Sequence, residues 1–107
     1  MSWVYLIVAG LLEIGWPLGL KLAQQEGWRL VGIVIAVAFM GASGFCLFLA
    51  QKTIPMGTAY AVWTGIGAAG AFLVGIAFLG DVSSFGRWLG AALIISGVVV
   101  MKLSSPA

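Results

Sequence analysis

Seven of the eight charged residues in this chain stand at the edges of long apolar runs, and that spacing leaves few ways for it to fold. Lys21, Glu26, Arg29, Lys52, Asp81, Arg87 and Lys102 separate stretches whose only internal charge is Glu13. A helix needs roughly 20 apolar residues to cross a bilayer. Runs of that order recur along the sequence, and a chain of 107 residues that is 63% hydrophobic and 7% charged has more apolar surface than a soluble core of its size can hide. The pattern predicts an all-α membrane protein. It is read as a single four-helix transmembrane domain over residues 1–107, with spans at about 3–21, 30–50, 58–79 and 88–101.

The turns between these spans are short, so successive helices are expected to run antiparallel and to form a compact four-helix unit. Met1, Ser2 and Trp3 lack the basic region and cleavage site of a secretory signal, which makes the first run a retained helix. The net charge of +2 comes from Lys and Arg beside the membrane, and it speaks of topology and not of nucleic-acid binding. With no histidine and a lone Cys46, neither a disulfide within the chain nor a metal or cofactor site is expected.

Lys52 and Lys102 fall on one side of the bilayer, and Lys21, Arg29 and Arg87 on the other. Because Lys and Arg bias sets orientation, this near tie predicts weak preference and makes dual topology plausible. Copies inserted both ways can pair head to tail, supplying the inverted repeat that the sequence itself lacks. The expected assembly is an antiparallel homodimer. Gly86, Gly90 and Gly97 in the last span, and Gly15 and Gly19 in the first, are spaced for close helix contact, with Gly65 and Gly67 as a further contact or hinge.

Glu13 needs a reason to be where it is. An acidic side chain at a helix centre costs about 2.5 to 3.5 kcal/mol on insertion scales, so it is expected to face protein or water and to work there. At 3.6 residues per turn, Gly10, Trp16 and Pro17 share its face. Pro17 has no amide hydrogen for the Glu13 carbonyl, and the helix should bend there. Trp3, Trp28 and Trp88 stand at span ends as interfacial anchors, whereas Trp16 and Trp63 do not. Tyr60 and Trp63 share a face three residues apart. A carboxylate ringed by Trp16, Tyr60 and Trp63 suits an organic cation, since aromatic faces attract cations. Ser43 can satisfy itself on its own helix backbone or, placed beside Glu13, donate to the carboxylate. Lys21 is expected to snorkel to the interface, and Asp81 to lie in an ordinary loop.

Gly65-Ile66-Gly67-Ala68-Ala69-Gly70 matches the dinucleotide fingerprint letter for letter, but that motif needs a strand before it and a soluble helix after it. Inside an apolar span it reads as a thin, bendable helix. Catalysis has nothing to stand on either: there is no histidine, no pair of carboxylates within one span and no nucleophile beside a base, so an enzyme is not expected.

Gly10-Leu11-Leu12-Glu13-Ile14-Gly15-Trp16, the Leu20-Lys21 pair, and Pro55-Met56-Gly57-Thr58-Ala59-Tyr60-Ala61-Val62-Trp63-Thr64-Gly65-Ile66-Gly67 together resemble the small multidrug resistance transporters over nearly the whole chain. Glu13 followed by Trp16, with Trp63-Thr64-Gly65-Ile66-Gly67, is similar to the guanidinium-exporting branch. The resemblance implies a multi-pass protein of the bacterial plasma (inner) membrane that exchanges protons for guanidinium or small substituted guanidinium cations. It implies that Glu13 binds both proton and substrate, and that Gly10, Trp16, Ser43, Tyr60 and Trp63 line or brace the site. An alternative is export of quaternary ammonium and other hydrophobic organic cations. A more distant one is a structural or regulatory subunit in which Glu13 pairs helices.

Overall fold

The computed structural model describes residues 1–105, and its regular structure is helical. The helices are α1 (Ser2–Glu13), α2 (Gly15–Ala23), α3 (Arg29–Ala50), α4 (Met56–Phe78) and α5 (Phe85–Leu103). The stretch Ser2–Ala23 and the three later helices are each long and apolar enough to cross a membrane.

Local chemistry sets the ends of these helices. Gly27 and Gly80 adopt φ of 83° and 72°, the left-handed region that glycine enters without steric cost, and each turns the chain after a helix. Pro55 immediately precedes α4, where its missing N–H costs nothing. Ser84 caps α5, its Oγ accepting from Arg87 N at 3.3 Å. The join between α1 and α2 falls at Ile14, whose N–H donates to Leu11 O at 3.2 Å in a tightened turn. Pro17 leaves the Glu13 carbonyl without its usual donor, so the ladder of hydrogen bonds is interrupted at the carboxylate. Ile14 keeps helical torsions of −64° and −33°, and α1 and α2 continue along one path.

The helices are laid out as a slab and not as the compact bundle expected from the short turns. α3 packs along α1 and α2, α4 along α1, and α5 along α4, while α3 and α4 hardly touch. The extents are 48 × 34 × 17 Å, and the middle figure is what four helices placed side by side at about 8–10 Å require. One end is held by Leu6, Ala50, Ile54, Ala59 and Val62, with Trp3, Trp63, Ile66 and Val98 against them. No residue of α5 is buried.

Lipid supplies no hydrophobic drive between helices, so close backbone approach has to carry the packing. Small residues do this work inside one chain. A Cβ on Gly19 would stand 2.6 Å from Ala36 N and 2.8 Å from Gly32 O, and one on Gly15 would enter the Phe39 ring. Gly15 and Gly19 therefore serve the contact of α2 with α3 within one chain. Gly65 likewise faces Val98 Cγ2, 2.7 Å from its would-be Cβ, and Gly67 faces Glu13. Of the glycines expected to make close contacts, only Gly86, Gly90 and Gly97 look onto open space.

Candidate functional site

Glu13 ends α1 at the interruption of the ladder, and the stem of its side chain lies on the backbone of α4 at Gly67. Its Oε1 is buried and has no hydrogen-bond partner. A carboxylate oxygen left unpaired away from water is costly, and the residue that carries it lines a groove of about 250 Å³. Trp16 and Pro17 form one wall of the groove, and Thr64, Gly67, Ala68 and Ala71 the other.

The other candidates sort by position. Of the three aromatics expected around Glu13, only Trp16 lines this groove in a single chain. Tyr60 and Trp63 pack together with ring centroids 5.5 Å apart and planes tilted by 56°, and Tyr60 is 56% exposed. Trp63 Nε1 donates to Ser43 Oγ at 2.8 Å, and Ser43 Oγ donates to Ala9 O at 2.7 Å. Ser43 is fully buried, so this relay ties α4 to α3 and α3 to α1 one turn before Glu13. The Ser43 hydroxyl thus gives its proton to a backbone carbonyl and not to the carboxylate. Gly10 acts as a spacer: a Cβ there would lie 2.8 Å from Ile66 Cβ.

Thr64 belongs to the groove although sequence reasoning passed over it. Its Oγ1 donates to Tyr60 O at 2.7 Å, which leaves the oxygen free to accept. Its spacing was readable, since it lies three residues before Gly67 on the same face. Together these groups offer a small cation one acceptor with an unsatisfied lone pair, an indole beside it and a hydroxyl across from it.

Residues 1–94 match the family described as Small Multidrug Resistance protein. The chain belongs to the small multidrug resistance family. Bacterial relatives that carry the name Guanidinium exporter match it over nearly its whole length. The one from Yersinia pestis is 47% identical over 105 residues, 98% of this chain and 100% of the relative. That from Citrobacter freundii is 48% identical over 106 residues, 98% and 99% of the two chains. A third, from Salmonella typhimurium, is 47% identical over 105 residues, again 98% and 99%. Membership in this family, with helices able to span a bilayer, makes the chain a multi-pass membrane transporter rather than an enzyme.

Proposed function

We propose that this chain is a proton-coupled antiporter that exports guanidinium or small substituted guanidinium cations across the bacterial plasma membrane. It works as an antiparallel homodimer in which the two Glu13 carboxylates share one site. The observation that carries this reading is the buried, unpartnered Oε1 of Glu13 on a groove sized for a small cation. The names of the bacterial relatives support the choice of guanidinium.

Guanidinium is flat and presents its N–H groups in forks, and each fork matches the two oxygens of one carboxylate. A single Glu13 satisfies one fork, and a second copy supplies the next. The open faces of Gly90 and Gly97, and an α5 with no buried residue, leave room for that copy. Either the cation or protons neutralise the carboxylates, and their competition couples the two fluxes. Alternating access then carries whichever is bound across the bilayer.

Purified protein in liposomes with an imposed pH gradient tests the reading. The wild type concentrates guanidinium against its gradient and moves protons the other way, while Glu13→Gln does neither. Uphill transport by Glu13→Gln would overturn it. Tetraalkylammonium, run in the same vesicles, is expected to move far more slowly than guanidinium.

A further inference from the structure

The groove at Glu13 continues. It shares Pro17 and Ala71 with a second cavity of about 200 Å³ that also reaches Lys21, Gly75 and Asp81. Glu13, Pro17 and Lys21 follow one another at four-residue spacing and share a face, and Gly67, Ala71 and Gly75 do the same on α4. Gly67 meets Glu13 and Gly70 meets Ile14, so the two stripes run side by side in the same direction. At 1.5 Å per residue, the step from Gly67 to Gly75 is about 12 Å, which carries the path from the carboxylate to the end of α4.

Asp81 is folded into the mouth of this path. Gly80, at φ 72°, turns the chain, and Asp81 N donates back to Gly75 O at 3.1 Å. The Asp81 carboxylate then rests where a Gly75 side chain would be: a Cβ there would stand 3.0 Å from Asp81 Cγ and would collide with Oδ2. Lys21 stands in the same mouth, and among the described residues the two make no ion pair. Between this mouth and Glu13 the shared walls are Pro17 and Ala71, which hold no side-chain polar group to detain a cation.

We infer that Asp81 is the outer cation-gathering residue of the transport path, and that Lys21 opposes it. Guanidinium meets the Asp81 carboxylate at the mouth and passes between Pro17 and Ala71 to Glu13. Lys21, by repelling the same cation, slows its admission. The inference rests on the proposed guanidinium transport. In the antiparallel dimer one such mouth faces each side of the membrane.

Initial rates of guanidinium uptake into proteoliposomes, at substrate well below saturation, test it. At about 0.01 M salt, where charges act over about 30 Å, Asp81→Asn is expected to lower kcat/KM about fivefold and Lys21→Gln to raise it. At about 1 M salt, where the range shrinks to about 3 Å, both approach the wild type. Asp81→Glu keeps wild-type rates. Gly75→Ala, which displaces the carboxylate without removing its charge, falls between Asp81→Asn and the wild type. A merely structural role would not give changes of opposite sign that vanish with salt. If the wild type transports and both charge variants match it at low salt, or shift in the same direction, this inference fails alone. If the wild type does not carry guanidinium at all, it fails together with the functional reading.

Discussion

Gly67 leaves bare the patch of α4 on which the stem of Glu13 rests: a β-carbon at position 67 would stand 2.5 Å from Glu13 Cγ and 3.1 Å from its Cβ. Real Cβ atoms do not approach a neighbour that closely, so the absence of a side chain at Gly67 fixes where the carboxylate lies. Behind it, 3.8 Å from the same point, is the carbonyl of Gly10. One glycine on each helix thus sets the depth of Glu13 in the slab.

Gly67→Ala should therefore disable transport more than it harms folding. The added methyl pushes the Glu13 side chain, which is flexible and can turn away, and overpacking of this kind costs about 1–3 kcal/mol. Turning away takes the carboxylate off the groove. Guanidinium flux is expected to fall at least about tenfold, which corresponds to about 1.4 kcal/mol, while the melting temperature in detergent drops by only a few degrees. Wild-type flux in Gly67→Ala would show that the position of Glu13 tolerates the shift.

The crossing of α2 and α3 makes the opposite prediction. At Gly19 the neighbours of a Cβ are Ala36 N, Gly32 O and Ala36 Cα, at 2.6, 2.8 and 2.9 Å, and all are backbone. Nothing there can rotate aside, so Gly19→Ala must separate the helices. A loss toward or beyond the upper end of the 1–3 kcal/mol range typical of overpacking is expected. Gly41, with nothing within 4 Å of its would-be Cβ, is the control. Its replacement by alanine gains up to about 1 kcal/mol of helix propensity. Thermal unfolding in detergent should move down for Gly19→Ala and stay level or rise for Gly41→Ala.

The sequence made Glu13 visible because a single charge in an apolar run needs no alignment to notice. It made the helices visible for the same reason, since charge marks their ends. What it hid was which face meets which. Gly65, Gly67 and Gly70 lie on one helix and are filled by Val98, Glu13 and Ile14, from α5, α1 and the α1–α2 join. A helix apolar on every side has no periodic stripe to say so. Turn length misled as well: the short connection between α3 and α4 suggested packed neighbours, yet α4 lies against α1. Ser43 was noticed as a polar residue, but spacing along its own helix does not say which turn of α1 it faces. That turn is Ala9, one before the carboxylate. Asp81 read as an ordinary loop residue because only the fold-back onto Gly75 brings it to the cavity that Lys21 and Pro17 also line.

The relay from Trp63 through Ser43 to Ala9 is expected to show coupling. Ser43→Ala loses both hydrogen bonds and strands the Trp63 N–H, a loss of about 1–3 kcal/mol. Trp63→Phe removes the donor together with its need for a partner, and Ser43 keeps its bond to Ala9 O. With phenylalanine already at position 63, Ser43→Ala has no indole to strand. The double variant should then cost less than the sum of the single ones by about 1 kcal/mol, within the range that interhelical hydrogen bonds give in membrane proteins. Unfolding of the four proteins in graded denaturing detergent measures this, and strict additivity would mean that Trp63 and Ser43 do not interact.

Competition at Glu13 fixes the sign of the pH dependence. In the proposed antiport, protons and guanidinium neutralise the same carboxylate, so acidifying the side from which guanidinium loads removes free sites. The apparent KM there should rise as pH falls, approaching about tenfold per pH unit for each competing proton once Glu13 is mostly protonated, because each protonated carboxylate is one fewer for the cation. Saturating guanidinium restores the loading step, since enough cation displaces the proton. Acidifying the opposite side has the reverse consequence, for protons arriving there drive guanidinium off and return the transporter in its protonated form. Flux measured with pH varied on one side of the vesicle at a time separates the two effects. A KM that ignores pH on the loading side while transport stays intact would place proton and cation on different groups and end the single-site account of coupling.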